Sequence, residues 1–212
     1  MPETSEELFR RKLFPDEDIP KIVQDLLDAC AGMDRRSKRD KETHLTKRVY
    51  ASLLRMKRYK DGPLQPLPEH PQYKLAENGE IVETGRADIS FSCGRGWETY
   101  FIVEAKRLFI SFSRRKDSLL SEYIDDGMCR FVSGQYAASQ QKAAMLGYVF
   151  DEELPTARGK LASAIGGKAP QLQLAPGAGL CQASLSVRPP VDETLHALPG
   201  RPFTIYHILV KV

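Results

Sequence analysis

The chain has 212 residues, of which 42% are apolar, and this is enough to build the core of one domain. No stretch approaches the ~20 consecutive apolar residues of a membrane-spanning helix, and the acidic, polar start does not have the pattern of a signal peptide. The four scattered cysteines form no Cys-x-x-Cys pair, which argues against a zinc knuckle or a disulfide framework. We therefore expect a cytoplasmic protein with free thiols and no membrane association.

The first third of the chain predicts helices. A serine-capped start favours a short helix over 5–14, and apolar residues recur at helical spacing over 21–33. We interpret 1–34 as an N-terminal helical extension and 35–212 as the main domain.

A basic region follows. Residues 35–60 contain eleven Lys or Arg against two acids, although the net charge of the whole chain is only +3. Apolar residues at Leu45, Val49, Leu53 and Met56 predict an amphipathic helix over 40–59. The opposite face carries Lys47, Arg48, Arg55 and Arg58. This face could neutralise the phosphates of a nucleic acid, and the alternative is an ordinary solvated helix face.

The middle of the chain predicts a three-stranded meander. Residues 61–70 hold three prolines and are predicted to form a loop, and Asn78-Gly79 is a strong turn dipeptide. Alternating residues at 85–91 and an apolar run at 100–109 predict two strands. The intervening Cys93-Gly94-Arg95-Gly96 is rich in turn residues, so the two strands should form an antiparallel hairpin.

Charged residues interrupt these two apolar strands at Asp88, Glu104 and Lys106. Glu104 and Lys106 share one face, because side chains alternate along a strand. Pairing across the hairpin could bring Asp88 close to both. Buried charges need a partner or a metal, and two carboxylates suit Mg²⁺ or Mn²⁺. The alternative is a surface ion pair on an edge strand.

The remaining segments give weaker predictions. A basic loop over 111–116 includes Arg114 and Arg115, which are further candidates for nucleic-acid contact. A long helix is predicted over 123–150. The glycine- and proline-rich segment 155–180 is predicted to be mostly loop, with a short helix over 156–165 as the one regular element that its sequence allows. Two strands, 183–188 and 203–212, should close the sheet. His207, within the last strand, is predicted to be a core or hydrogen-bonded histidine.

The spacing Asp-x(15)-Glu-x-Lys, with a hydrophobic run leading into the glutamate, resembles the PD-(D/E)XK nuclease superfamily. Asp88 corresponds to the first acid of that motif, Glu104 to the second and Lys106 to the lysine, while Ala87 stands where the name of the family has proline. The resemblance implies that Asp88, Glu104 and the carbonyl of Ala105 bind the metal.

The same resemblance implies roles for other residues. Lys106 would position or activate the attacking water. The family often has a glutamate on its first core helix, and Glu42 is the candidate here, although a first-turn acid favoured by the helix dipole would look the same. A polar residue from the helix after the Glu-x-Lys strand often points at the site, and Gln135 leads Arg130 as the candidate.

We therefore expect an α/β protein with a restriction-endonuclease-like core. Its mixed central sheet of about five strands would be flanked by the helices over 40–59 and 123–150. The expected function is Mg²⁺-dependent endonuclease cleavage of DNA, by analogy in bacterial restriction or phage defence, with a homodimer or a partner subunit of a defence system as expected assemblies. Two alternatives stay open: a catalytically inactive nucleic-acid-binding module, and a structural or partner-binding protein.

Overall fold

A computed structural model describes residues 13–33, 37–76, 78–94, 99–112 and 115–212. Residues 5–12 of the predicted first helix lie outside this part, as do Arg95 and Gly96 of the predicted turn. The helices are α1 (Ile19–Ala31), α2 (Glu42–Leu53), α3 (Lys57–Asp61), α4 (Leu120–Tyr123), α5 (Cys129–Val132) and α6 (Leu154–Gly167), and a π-helical turn at Ile124–Met128 joins α4 to α5. None of these helices combines the length and the apolar character needed to cross a bilayer.

Seven strands form one mixed sheet. The strands of the chain are β1 (Gln65–Leu75), β2 (Ile81–Ser92), β3 (Tyr100–Leu108), β4 (Ile110–Phe112), β5 (Arg115–Asp117), β6 (Lys142–Val149), β7 (Cys181–Gln182), β8 (Asp192–Leu198) and β9 (Arg201–Lys211). The sheet has the order β1-β2-β3-β6-β9-β8-β7, and β4 pairs separately with β5. β6 runs parallel to β3 and to β9, and the other neighbours are antiparallel. The α/β class is confirmed, but the sheet has seven strands where about five were predicted.

Helices cover both faces of the sheet. On one face, α1 and α2 pack on alternate residues of the central strands, among them Ile89, Val103 and Leu146. On the other face, the α4–α5 segment and α6 pack on the intervening residues, among them Ile102 and Met145. The result is a three-layer arrangement with a core on each side of the sheet.

The helix α2 has the predicted amphipathic pattern. Leu45, Val49 and Leu53 are fully buried, as the apolar spacing predicted. The predicted helix over 40–59 is nevertheless two helices, because α2 ends at Leu53 and α3 begins at Lys57. The described part of the basic region therefore lies on α2, on α3 and on the residues just before them.

The predicted helix over 123–150 was wrong in its second half. Residues 142–149 form strand β6, which lies in the centre of the sheet and is covered on both faces. Such a strand shows no apolar-polar alternation, and its sequence of small and aliphatic residues resembles that of a buried helix. Gly147 fits this crowded position, since an added Cβ would come within 2.6 Å of the Leu209 side chain and 2.9 Å of that of Leu108.

Two further predictions were wrong, those of a loop over 61–70 and of a strand over 183–188. The predicted loop over 61–70 ends in β1, whose three prolines are tolerated because β1 is an edge strand with one unpaired side. The short helix predicted over 156–165 is confirmed within α6, in which Pro155 occupies the first turn, where its missing N–H costs nothing. Near the end of the chain, β7 and β8 flank 183–188, which is not a strand.

Candidate active site

The site lies where β2 and β3 separate. β2 pairs with β3 only over Ile89–Ser92 and Tyr100–Val103, whereas β2 stays paired with β1 back to Ile81. From Glu104 onward, β3 therefore lacks a neighbouring strand on this side, while its other edge pairs with β6. We call the region between residues 84–88 of β2 and 104–107 of β3 the β2–β3 gap.

Carboxylates take the place of the missing strand in the β2–β3 gap. The backbone N–H of Ala105 donates to Oδ2 of Asp88 at 2.8 Å, and that of Arg107 donates to Oε2 of Glu42 at 3.1 Å. Because a buried backbone N–H needs an acceptor, these contacts fix both acids at the open edge of β3. The predicted convergence of Asp88 on the Glu104–Lys106 segment is confirmed by these contacts.

Glu104 is the most deeply buried acid of the site, with 1% of its surface exposed. Its Oε1 accepts from Nζ of Lys106 and from NH1 of Arg130, each at 2.9 Å. Its Oε2 is buried and has no hydrogen-bond partner among the described residues. Burial raises the pKa of Glu104 to about 7, despite the nearby ammonium of Lys106.

Lys106 ties the acids together. Its ammonium donates to Oε1 of Glu104 at 2.9 Å, to the carbonyl of Ala105 at 3.0 Å and to Oε1 of Glu42 at 3.4 Å. Burial alone would lower the pKa of Lys106, but the surrounding carboxylates raise it above its ordinary value. Lys106 is therefore a fixed cation whose three protons each have an acceptor.

Glu42 reaches the site from the first turn of α2. It contacts both Lys106 and the backbone of Arg107, and burial raises the pKa of its carboxyl. Glu42 is therefore a first-turn acid of α2 and also lies beside the Glu-x-Lys strand. Its position fits both interpretations made from the sequence, that of a helix-dipole acid and that of a site residue. Burial likewise raises the pKa of Asp88.

Gln135 lies in the turn after α5 and not within a long helix, and its amide does not face the carboxylates. Its Nε2 donates to the carbonyl of Thr84, whose hydroxyl donates to the carbonyl of Gln135. Arg130 makes the contact with Glu104 that the sequence assigned first to Gln135. The Tyr136 hydroxyl, for which the sequence gave no signal, accepts from NH1 of Arg130 and donates to the carbonyl of Arg86.

Acids neutralise part of the predicted basic surface. Lys47 pairs with Glu69 at 3.4 Å, Arg48 with Asp40 at 4.0 Å and Arg58 with Asp25 at 3.3 Å. Arg55 has no ion-pair partner within the described ranges. Arg114 and the side chain of Arg115 lie outside the described residues, so their predicted contact with nucleic acid stays a prediction.

Two buried histidines form a separate hydrogen-bonded core network. The Thr194 hydroxyl contacts Nε2 of both His196 and His207, at 2.8 and 2.9 Å, and Nδ1 of His207 contacts the Tyr123 hydroxyl at 2.9 Å. Burial lowers the pKa of His207 to about 3, so its ring is neutral at physiological pH. The prediction of a core histidine at 207 is confirmed.

The acids around the β2–β3 gap have the donor chemistry of a hard divalent cation. Within the described residues, no three His, Cys, Asp or Glu side chains already form a metal-binding group. The cations of Lys106 and Arg130 instead occupy Oε1 of Glu104. The unpartnered Oε2 of Glu104, the carboxylate of Asp88 and the Ala105 carbonyl are all oxygen donors, a ligand type that suits Mg²⁺ or Mn²⁺ better than softer metals.

Comparison with known proteins gave no relatives: no family model, no curated protein and no solved structure matches this chain.

Proposed function

We propose that this protein is a metal-dependent nuclease that hydrolyses phosphodiester bonds of DNA at the β2–β3 gap. The observation that carries the proposal is the unpartnered, buried Oε2 of Glu104 beside Asp88 and Lys106. An isolated buried carboxylate oxygen is costly, so a protein that keeps one has a use for it.

The order of elements supports the same proposal. The chain runs from helix α2 through the meander β1–β2–β3 and the α4–α5 segment to β6, which is parallel to β3. This order fits the restriction-endonuclease-like core that the Asp-x(15)-Glu-x-Lys spacing predicts. The acids lie at the open edge of β3, where a substrate strand could approach from outside the sheet.

Asp88, Glu104 and the carbonyl of Ala105 would hold Mg²⁺. When bound, such an ion neutralises phosphate oxygens and lowers the pKa of a coordinated water. The ammonium of Lys106 supplies a fixed positive charge beside the Ala105 carbonyl, where it can orient a water and stabilise negative charge that develops on phosphate oxygens. Glu42 holds Lys106 in this position from the other side.

Incubation of a supercoiled plasmid with Mg²⁺, Mn²⁺ or EDTA tests the proposal. We expect nicking or linearisation with either metal and none in EDTA. Lys106→Ala should slow cleavage on the order of a hundredfold or more, because it removes a charge that acts in the transition state. Lys142→Ala is the matched control, since Lys142 also lies on a strand and pairs with an aspartate, Asp16, and it should cleave like the wild type.

A catalytically inactive nucleic-acid-binding module would give a different result. It would retain DNA in a binding assay without cleaving it in any metal, and Lys106→Ala would change nothing but affinity. If the protein neither cleaves nor binds DNA at low salt, the proposed function is wrong, and the partner-binding alternative is favoured.

A further inference from the structure

Arg130 is held beside Glu104 through a single nitrogen. Its NH1 donates both to Oε1 of Glu104 and to the Tyr136 hydroxyl, each at 2.9 Å. The centre of the guanidinium lies 5.3 Å from the centroid of the Tyr136 ring, which is within the range of a cation–π contact. Tyr136 is itself anchored to the carbonyl of Arg86 at 2.8 Å, so β2 and β3 both fix the orientation of Arg130.

The rest of the guanidinium is unused. An arginine carries five N–H donors, and the two on NH1 are the ones that bond Glu104 and Tyr136. Within the described residues, Nε and NH2 of Arg130 make no hydrogen bond, and 31% of the side chain is exposed. In the described part of the chain, a charged, planar pair of donors on a partly exposed arginine is therefore without a hydrogen-bond partner next to the candidate site.

Arg158 offers a comparison, because it pairs with a carboxylate in a different geometry. It binds Asp192 with two parallel hydrogen bonds, from Nε and from NH2, each at 2.8 Å. This two-point geometry is the strongest that an arginine and a carboxylate can make. Arg130 does not make this geometry with Glu104, which leaves its Nε and NH2 available for a second oxyanion.

We propose that Arg130 binds a backbone phosphate of the nucleic acid through the fork formed by its Nε and NH2. Guanidinium and phosphate match in geometry and charge. The contact would bring a phosphate next to Glu104 and Lys106, which are the groups assigned to the chemistry. The choice of nucleic acid as the ligand rests on the proposed function.

The test measures DNA binding in EDTA at several salt concentrations. The fluorescence anisotropy of a labelled duplex oligonucleotide, and separately of its single strand, reports the binding. Each phosphate contact contributes about 0.9 to the slope of log affinity against log salt for duplex DNA. We therefore expect Arg130→Ala to lower the slope by about 0.9 and to weaken binding about tenfold at low salt. Arg130→Lys keeps the charge but loses the fork, so it should keep the slope and bind more weakly.

Two control variants separate phosphate contact from structural damage. Arg158→Ala removes an arginine–carboxylate pair between α6 and β8, a strand that lies three positions from β3 in the sheet, and it should leave the slope unchanged. Glu104→Gln breaks the contact of Arg130 with a carboxylate but leaves its charge, so its slope should equal or exceed that of the wild type.

The inference is overturned if Arg130→Ala keeps the wild-type slope, if Arg158→Ala lowers the slope equally, or if the wild type binds neither form of the DNA. Because the assay contains no metal, its outcome is independent of catalysis. A wild-type protein that binds with the expected slopes but never cleaves would contradict the proposed nuclease activity and leave the role of Arg130 intact.

Discussion

At the scale of single residues, the site has more negative than positive charge. Within the described residues, Asp88, Glu104 and Glu42 lie beside two cations, Lys106 and Arg130. The surplus falls on Glu104, whose Oε2 has no partner in the described part of the chain. Such an arrangement costs stability in the absence of a cation, and it is expected where binding, not folding, has been selected.

Glu104→Gln should therefore stabilise the protein. Burial raises the pKa of Glu104 from its ordinary value of 4.5 to about 7. Between these values the native state holds a proton that the unfolded state has released, so wild-type stability falls as the pH rises through this window. Glutamine does not titrate, and we expect the variant to be more stable by about 2 kcal/mol at pH 8, with little difference below pH 4.5.

Urea unfolding across this pH range measures the effect. Glu153→Gln is the control, because 82% of the Glu153 side chain is exposed, and this change should shift stability by less than about 0.5 kcal/mol. If the Glu104→Gln protein is less stable than the wild type at pH 8, this expectation is wrong. The ion pairs of Glu104 with Lys106 and Arg130 then contribute more stability than the burial of its carboxylate costs.

Strand alternation made much of the site predictable from sequence. It correctly put Glu104 and Lys106 on one face, and the turn residues before Tyr100 put Asp88 on the neighbouring strand. The roles of Arg130 and Tyr136 could not be found this way, because their contacts depend on where the chain turns after α5. The sequence suggested a helix through Gln135, and a continuous helix would have aimed different side chains at the sheet.

At the scale of the elements, the turn after α5 is hydrogen-bonded to β2 beside the β2–β3 gap. Gln135 and Tyr136 bond the carbonyls of Thr84 and Arg86, on either side of Gly85. Gly85 has a φ of +154°, and a Cβ there would come within 2.8 Å of the Tyr136 hydroxyl and 3.0 Å of Nε2 of Gln135. The absence of a side chain at position 85 therefore allows the turn after α5 to contact β2.

Gly85→Ala should disturb this contact. We expect a loss of about 1–3 kcal/mol in the free energy of unfolding, from the strained backbone and from the displaced hydroxyl of Tyr136. Thermal unfolding measures the loss. Gly159→Ala is the matched control: Gly159 lies within α6 with open space around it, so alanine should stabilise the protein by about 0.5–1 kcal/mol. Equal effects at the two positions would contradict the packing role of Gly85.

The errors at β6 and at β1 share one physical cause. Apolar-polar patterns are clearest in an element that has one buried and one exposed face, whereas β6 is covered on both faces and β1 is unpaired along one edge. Position in the sheet thus allows residues with high helix propensity in β6 and prolines in β1. The amphipathic α2 and the hairpin β2–β3 were predictable because each has one buried and one accessible face.

At the scale of the whole molecule, the fold brings α2, β2, β3 and α5 to one region. Each of these four elements contributes one or more of the charged groups at the β2–β3 gap. In the described part of the sheet, the edge of β3 that faces β2 has no strand partner beyond Val103. We propose that the β2–β3 gap binds a divalent cation through Asp88 and Glu104.

Titration with Mn²⁺, in which electron paramagnetic resonance measures the free ion, tests whether the β2–β3 gap binds a divalent cation. We expect saturable Mn²⁺ binding by the wild type, competition by Mg²⁺, and loss of binding in Asp88→Asn and in Glu104→Gln. Asp126→Asn, outside the site, should bind as the wild type does. Absence of binding by the wild type, or equal binding by all three variants, would mean that Asp88 and Glu104 do not hold the ion.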